Sequence, residues 1–404
     1  MCTDVNFRDE GQSLRQMIIG FRRRLHRTPE LSGSEFETCR FIRSVLAEHG
    51  LPAADHFPQP ATVVTITGEY SGPVVALRAD IDALPIQEEN QVDYCSVNNG
   101  VMHACGHDAH TAMLLGAAIL LGRHRKSLRG SVKLIFQPSE EAAPSGAKAL
   151  LELGVLERPK VDVIFAHHVQ SHIACGQIGV YEGAFMAAAD NFRLIVHGKS
   201  CHAAHPQRGV DAIWVSSQII TAFQSLISRF TLPVAPAVLS ICTISGGTRP
   251  NIIADTVTMY GTLRTLERDV REDLISKMHK ISSAIAEGYG AACELEITPG
   301  YPAVCNDKSA CAIMRGASEK ILGRDHIAPI QYPSTGSEDF AWYQQSCRGV
   351  ISNLGCGNPE KGLTSSIHTP TFDIDENCLP LGAAILAQCA WDYMDQSSYK
   401  FHEP

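Results

Sequence analysis

The chain has 404 residues and a formal net charge of −9, with 34 Lys and Arg against 43 Asp and Glu. An acidic chain without a Lys/Arg block does not fit nucleic acid or an anionic membrane as its main partner. With 45% hydrophobic residues, the composition is that of a globular protein long enough for two domains. No transmembrane stretch or signal peptide stands out, so the 14 cysteines are expected as reduced thiols in the cytoplasm.

The first part of the chain alternates predicted helices and strands. Helices are predicted over residues 14–25, 35–49 and 146–153, and strands over 62–68, 73–79, 131–137 and 161–166. This alternation predicts an α/β sheet with parallel strands. Three pairs of polar residues follow these strands directly: Asp80/Asp82, Glu140/Glu141 and His167/His168. Ligands are therefore expected at the carboxyl edge of the sheet.

The pattern changes after about residue 187. Strands are predicted over 190–196, 237–244, 256–263 and 293–297, and helices over 210–229 and 267–287. The resulting β-α-β-β-α-β order is typical of a ferredoxin-like domain. Further helices are predicted over 309–322 and 379–393, so the α/β pattern returns. The sequence thus predicts an inserted domain at 187–299 and a discontinuous catalytic domain at 1–186 and 300–404.

Residues 102–110 are the densest chemical cluster, with three histidines, a cysteine and an aspartate. The apolar stretch 111–121 follows, which predicts a loop that runs into a buried helix. Cys105 and His107 flank a glycine, so thiolate and imidazole can converge on one cation such as zinc. An inert cysteine beside solvated histidines is the alternative, and five such side chains in nine residues make it the weaker one.

Further ligand-type side chains occur at Glu140/Glu141, His167/His168 and His368. Together with Cys105 and His107 they could fill two metal positions and leave room for water, as a paired-metal hydrolase requires. Neighbours on an extended segment point opposite ways, so one carboxylate of the doublet could bind metal while the other acts as general base. Taken alone, the doublet is better interpreted as the acidic first turn of the helix that follows.

Nine motifs extend this pattern, in order, over nearly the whole chain. They are 25–31 (LHRTPEL), 77–85 (LRADIDALP), 102–110 (MHACGHDAH), 136–141 (FQPSEE), 198–206 (GKSCHAAHP), 246–251 (GGTRPN), 261–265 (GTLRT), 337–340 (SEDF) and 367–370 (IHTP). With these motifs the sequence resembles the amidohydrolase branch of the aminoacylase/carboxypeptidase metallopeptidases. That branch includes hippurate hydrolases, plant auxin-conjugate hydrolases and N-acetyldiaminopimelate deacetylases.

The resemblance implies a role for each matching position. The implied metal ligands are Cys105, His107, Glu141, His168 and His368. They would hold two divalent metal ions per subunit, zinc or manganese, with cobalt or nickel as alternatives. Glu140 matches the general acid/base, His202 matches a histidine that polarises the scissile carbonyl, and Asn251 and Arg264 match residues that face the substrate. The insert corresponds to a lid or dimerisation domain, which implies a homodimer or larger homo-oligomer.

The sequence departs from the family pattern at three places. Asp80 stands where distant peptidases have a ligating histidine, so it is not predicted as a ligand. Ser200-Cys201 replaces the usual Gly-Gly before the lid histidine. His167 replaces an apolar residue before His168, which leaves open which of the two imidazoles binds metal.

The predicted reaction is hydrolysis of the amide bond of an N-acyl amino acid to a carboxylic acid and a free amino acid. The acyl group is acetyl, benzoyl or longer, and Glu140 exchanges protons with a metal-activated water. A dipeptidase or carboxypeptidase of the same fold is one alternative. A thiol hydrolase with Cys105 as nucleophile is another, but it leaves Glu140 and His368 without a role. A non-catalytic metal-binding relative is the third.

Overall fold

The computed structural model describes residues 5–53 and 57–400, with the side chains of 396–400 left aside. The chain forms two compact units. The first comprises Met1–Gly183, Asn306–Gln331 and Trp342–Pro404, and the second comprises Ala184–Cys305 and Tyr332–Ala341. The segment 332–341 thus groups with the second unit, whereas the sequence assigns it to the discontinuous domain. Within the described residues, no helix has both the length and the apolar character needed to cross a membrane.

The first unit is built from helices around one large sheet. Its helices are α1 (Phe7–Ser13), α2 (Arg15–Arg27), α3 (Phe36–Glu48), α4 (His107–Arg123), α5 (Gly146–Glu152), α8 (Lys308–Leu322), α9 (Ala341–Gln344, whose first residue groups with the second unit) and α10 (Cys378–Lys400). Its strands are β1 (Thr62–Thr67), β2 (Tyr70–Asp80), β3 (Arg129–Gln137), β4 (Val163–Ala174), β5 (Ile178–Gly179), β12 (Ile327–Ala328) and β13 (Arg348–Gly357). Two short strands, β6 (Gly183–Met186) and β11 (Val304–Asn306), span the points where the chain passes from one unit to the other.

The seven strands of the first unit lie in the order β1-β3-β2-β4-β13-β5-β12. The central strands β3, β2, β4 and β13 are parallel. The sequence predicts this arrangement for β2, β3 and β4, whereas it does not predict β13. The predicted parallel arrangement is wrong for β1, which is antiparallel to β3. The short strand β5, which the sequence does not predict, is antiparallel to β13. The chain reverses between β1 and β2, and β3 lies between them parallel to β2, so β1 must run opposite to β3. The sheet is therefore mixed.

Helix α4 forms the centre of the first unit's core. Its residues from His107 to Leu121 are all buried, as expected of a helix that is apolar on every side. A side chain at Gly116 would bring a Cβ within 2.7 Å of Ile18 on α2 and 2.8 Å of Ala383 on α10. The glycine thus lets α4 approach both neighbouring helices closely, and this packing fixes the start of α4, where the predicted metal motif ends.

Three differences from the predicted elements concern the metal motif, strand β4 and helix α1. The second half of the 102–110 motif lies in the first turn of α4, because Gly106 adopts a left-handed conformation with φ of 85° and the helix begins at His107. Strand β4 continues through His167 and His168 to Ala174, whereas the sequence ends it at residue 166. Helix α1 was not predicted; the Asn6 side chain caps it by accepting the Asp9 N–H, and Phe7 is buried.

The second unit consists of a four-stranded antiparallel sheet with two helices. Its elements are β7 (Ala188–His197), α6 (Ala212–Ser225), β8 (Ala237–Gly246), β9 (Thr256–Thr265), α7 (Arg268–Gly288) and β10 (Ala292–Pro299). This is the order of elements that the sequence predicts. The strands lie in the order β10-β7-β9-β8, and a separate core joins both helices to the sheet through Phe223 on α6, Met278 on α7 and Met259 on β9.

Candidate metal centre

The five residues predicted as metal ligands meet in the first unit, although they come from distant parts of the chain. Cys105 Sγ lies 3.4 Å from His168 Nε2 and 3.3 Å from His368 Nε2. Glu141 Oε1 lies 3.2 Å from His368 Nε2 and 3.7 Å from His107 Nε2. The donor atoms form two groups of three, Cys105/His107/His168 and Cys105/Glu141/His368. Because Cys105 belongs to both groups, the cluster has the form expected of two neighbouring metal positions with one shared ligand.

Strand β4 separates the two adjacent histidines, since successive side chains of a strand point to opposite faces. His168 Nδ1 donates to the Val169 carbonyl at 2.8 Å, which leaves the Nε2 lone pair facing Cys105. Burial and the nearby His110 lower the pKa of His168 to about 3, so its imidazole is neutral and able to coordinate. His167 Nδ1 instead lies 2.6 Å from Ser352 Oγ. The structure therefore brings His168, and not His167, to the cluster.

His107 is oriented by a carboxylate behind it. Its Nδ1 donates to Asp82 Oδ1 at 3.1 Å, so Nε2 is the nitrogen left to coordinate. Burial lowers the pKa of His107, but the charge of Asp80, the Cys105 sulfur and the Asp82 hydrogen bond raise it well above its usual value. His107 Nε2 and Glu141 Oε1 are both buried and make no hydrogen bond with the described chain. A cation in each of the two ligand groups would give both atoms a partner, which is the fit expected of a metal site.

Asp82 also holds Glu141, the carboxylate ligand candidate. Asp82 Oδ2 accepts the Glu141 backbone N–H at 2.9 Å and the Ser32 hydroxyl at 2.7 Å. Burial raises the pKa of Glu141, but its contact with His368 at 3.2 Å and the charge of His107 lower it further, so it is ionised. The sequence did not assign Asp82 a role. Its position just beyond β2, two residues after Asp80, was the available signal.

Glu140 lies beside this cluster and is 7% exposed. One of its oxygens lies within 4.8 Å of donor atoms of His107 and Glu141. The alternative that places the Glu140–Glu141 doublet in the first turn of a helix is wrong, because α5 begins only at Gly146 with Ser145 as its cap. The doublet also lies in a bend instead of an extended segment, so strand alternation is not what separates its two side chains.

Asp80 and His110 form a neighbouring group that could be mistaken for further ligands. His110 Nδ1 donates to Asp80 Oδ1 at 2.6 Å, and His110 Nε2 accepts the Val169 N–H at 2.9 Å, so both nitrogens are occupied. Arg78 Nη1 donates to the other Asp80 oxygen at 2.8 Å. Burial raises the pKa of Asp80, but His107, His110 and Arg78 lower it well below its usual value. Both carboxylate oxygens of Asp80 thus have protein partners, and its exclusion from the ligands stays a prediction.

The remaining predicted site residues lie in the second unit. His202 and Asn251 are exposed and belong to paired segments, since the Ala203 N–H donates to the Asn251 carbonyl at 3.0 Å. Arg264, on β9, is half-buried and donates from Nη1 to Ser337 Oγ at 3.0 Å. The structure thus brings His202 next to the Asn251 segment and places Arg264 beside the 337–340 motif.

Comparison with known proteins gives a consistent result. The sequence model of Peptidase family M20/M25/M40 matches residues 76–392. N-acetyl-L-cysteine deacetylase of Bacillus subtilis is 38% identical over 95% of this chain and 90% of that protein. Thermostable carboxypeptidase 1 of Saccharolobus solfataricus is 38% identical over 93% of this chain and 95% of that protein. The solved structure of Bacillus subtilis YXEP, described as a dinuclear metal binding peptidase from the M20 family, superposes with a TM-score of 0.83 at 36% identity, covering 95% and 99% of the two chains.

Proposed function

We propose, from the premise that this chain belongs to peptidase family M20/M25/M40 and is a metal-dependent hydrolase, that it hydrolyses N-acyl amino acids. The bond cleaved is the amide between an acetyl, benzoyl or longer acyl group and the amino acid. One observation carries the proposal: a buried carboxylate, Glu140, lies beside donor groups for two cations that share Cys105.

The cofactors proposed are two divalent metal ions, zinc or manganese, held by Cys105, His107, Glu141, His168 and His368. A thiolate, imidazoles and a carboxylate suit such borderline cations. When bound, the ions lower the pKa of a coordinated water and polarise the substrate carbonyl. Asp82 would keep two of the ligands in place, since it holds His107 by its side chain and Glu141 by its backbone N–H.

Glu140 is proposed to transfer protons in both halves of the reaction. It takes a proton from the attacking water as the oxygen bonds to the acyl carbon, and it gives that proton to the amine nitrogen as the C–N bond breaks. His202 is proposed to polarise the scissile carbonyl. Asn251 and Arg264 are proposed to bind the substrate's carbonyl or carboxylate, for which a guanidinium offers paired donors. These last roles rest on the resemblance of the motifs around the three residues.

The second unit is proposed to be a ferredoxin-like lid and dimerisation domain, at 187–299 between the catalytic segments 1–186 and 300–404. Its strand order, β10-β7-β9-β8, supports the ferredoxin-like assignment. Strand β8 is an edge strand with Val238 37% and Ile244 56% exposed, the kind of edge that pairs with a second chain. We therefore propose a homodimer, to be measured by sedimentation equilibrium. The proposed compartment is the cytoplasm.

A screen of N-acetyl, N-benzoyl and long-chain N-acyl amino acids, with metal analysis of the purified protein, tests the proposal. Turnover of at least one class that disappears with chelation and returns with metal is the expected result. Activity that survives exhaustive chelation would favour the thiol hydrolase with Cys105 as nucleophile. Full metal occupancy without turnover of any substrate would favour the non-catalytic relative.

A peptidase is the second candidate, because a relative of the same identity is named a carboxypeptidase. Both reactions break an amide beside a carboxylate with the same metal cluster, so the site geometry serves either. Dipeptides and longer peptides belong in the same screen for this reason. A higher kcat/KM for peptides than for every N-acyl amino acid would establish the second candidate in place of the first.

Metal is expected to protect Cys105 from alkylation. A thiolate bound to metal is shielded from alkylating reagents. In metal-free protein, burial and the Glu141 carboxylate raise the pKa of the Cys105 thiol, which slows alkylation but does not prevent it. At mildly alkaline pH, iodoacetamide should label Cys105 faster in metal-free protein than in loaded protein, as followed by peptide mass spectrometry. The exposed Cys242 and Cys305 serve as internal controls whose labelling should not respond to metal. Equal labelling of Cys105 in both forms would show that it is not a ligand.

A further inference from the structure

Glu35 is a buried carboxylate with no role in the chemistry described above. Its side chain is 0% exposed, at the start of α3. An N-cap side chain usually accepts N–H groups of the first turn of its helix, but here Glu30 accepts the N–H groups of Glu37 and Thr38 instead. Glu35 Oε1 instead accepts the Ser139 backbone N–H at 2.8 Å. The side chain therefore acts on the loop that carries the Glu140–Glu141 doublet.

Ser139 has an uncommon backbone conformation that needs support. Among the residues that the structure describes, only Ser139, with φ of 52°, and His368, with φ of 62°, combine a side chain with positive φ. Such a conformation is strained for a residue with a side chain and persists only where neighbouring contacts impose it. Because Ser139 directly precedes the doublet, its backbone angles decide where Glu140 and Glu141 point.

Both ends of the Ser139 residue are held. Its N–H donates to Glu35, and its carbonyl accepts the Gly146 N–H at 3.0 Å. Gly146 sits so close to Pro138, the residue that follows β3, that an added Cβ would lie 1.8 Å from the Pro138 carbonyl oxygen. The carbonyl side of Ser139 is thus fixed by backbone packing, and the N–H side is fixed by the Glu35 side chain alone.

The placement of Glu35 is unfavourable for folding. Burial raises the pKa of Glu35, and the nearby charge of Asp82 raises it as well. Backbone hydrogen bonds lower the pKa only in part, so that it lies at about 7. Glu35 forms no ion pair with any residue in the described part of the chain. A neutral residue would fill the position at lower cost, so a contribution to the reacting site accounts for the carboxylate better than stability does.

The segment that contains Glu35 also contacts the site through Ser32. The Ser32 hydroxyl donates to Asp82 Oδ2, the oxygen that also accepts the Glu141 N–H. We propose that Glu35 is a positioning residue of the hydrolytic reaction, which holds the left-handed turn at Ser139 and so directs Glu140 and Glu141. The proposal rests on the proposed function of the doublet. Glu35 would support the doublet from the start of α3 through its hydrogen bond with the Ser139 N–H.

The test compares Glu35→Ala, which removes the acceptor, with Glu35→Gln, which keeps an oxygen at the same place. Loss of an outer support typically costs about 10- to 100-fold in activity or metal affinity. We expect Glu35→Ala to lower kcat by that factor with KM within about twofold of wild type, and Glu35→Gln to recover most of the loss. Glu30→Ala is the matched control, because it removes acceptors from the same helix start without touching the doublet loop. Its kcat should stay near the wild-type value.

A second readout does not need turnover. In cobalt-substituted protein, the visible absorption of the metal reports ligand geometry, and we expect Glu35→Ala alone to change it. Should Glu35→Ala fail to fold by circular dichroism, Glu35→Met fills the volume without an acceptor and takes its place. The proposal would be overturned if the folded variant, Glu35→Ala or Glu35→Met, kept the wild-type kcat and cobalt spectrum. It would also be overturned if Glu30→Ala lowered kcat by the same factor. If wild type hydrolyses no amide, the proposed function fails by itself, and the cobalt spectra still decide the role of Glu35.

Discussion

Glu140→Gln is expected to lower kcat by a factor on the order of 10²–10⁴, the usual contribution of a general acid–base group, while the protein keeps its metal. The amide replaces the carboxylate in nearly the same volume but cannot take a proton from water. Glu140 is 7% exposed, so solvent would substitute poorly for the missing base. Steady-state kinetics and metal analysis of the same preparation measure the two halves of this result.

Glu141→Gln is the matched comparison, one residue further along. Its Oε1 contacts His368 and His107, so the neutral amide should lose metal affinity along with activity. The two neighbours would then differ in kind: Glu140→Gln stays loaded and inactive, whereas Glu141→Gln regains some activity as metal is raised. Equal metal loss in both variants would mean that the two roles are assigned wrongly.

The ligand cluster could be predicted from sequence because its most informative part is local. Cys105 and His107 flank a glycine, and that glycine does adopt the left-handed turn that starts α4. The distant members, Glu141 and His368, gained support only as possible partners of this motif and from the resemblance. The structure brings them within hydrogen-bond distance of each other. Their catalytic and metal-binding roles stay predictions for the experiments above.

The choice between His167 and His168 depends on where strand β4 ends, which the sequence does not show. The sequence ended the strand at residue 166, where no alternation applies, whereas β4 continues to Ala174 and directs the two rings to opposite faces. The strand β1 was predicted, but its antiparallel pairing was not, since pairing partners depend on which strand inserts between β1 and β2. The support given by Asp82 and Glu35 was also missed. Each acts by a hydrogen bond to backbone or ring across a fold, which leaves no periodic signal in sequence.

Arg22→Met is expected to destabilise the protein by about 3–5 kcal/mol, the cost of leaving buried charges without their partner. The Arg22 side chain is 0% exposed and donates to Asp108 and Asp373, each at 2.7 Å. His26 Nδ1 also lies 2.8 Å from Asp108, so α2 contacts the first turn of α4 through two buried groups. Methionine fills the space, which separates the loss of charge from the loss of volume. Urea unfolding of metal-free protein measures the change.

Arg23→Met is the control on the same helix. Arg23 makes two hydrogen bonds to Glu376, but its side chain is 41% exposed, and a solvent-exposed ion pair contributes about 1 kcal/mol or less. If the free energy of unfolding fell by the same small amount in both variants, the buried contacts of Arg22 would stabilise the fold no more than a surface ion pair does. A loss confined to Arg22→Met would place the stabilisation in the buried contacts with Asp108 and Asp373.

The loss of stability in Arg22→Met is expected to depend on pH. Burial raises the pKa of Asp108, but Arg22 and His26 lower it further, well below its usual range. A carboxyl group with a lowered pKa stabilises the fold above its unfolded pKa of about 3.9, and this contribution is lost as the pH falls further. In Arg22→Met the buried Asp108 loses this cation, so its protonation in acid relieves the fold. The destabilisation should therefore be largest at neutral pH and shrink as the pH approaches the unfolded value. A difference that stays constant with pH would assign the effect to packing and not to charge.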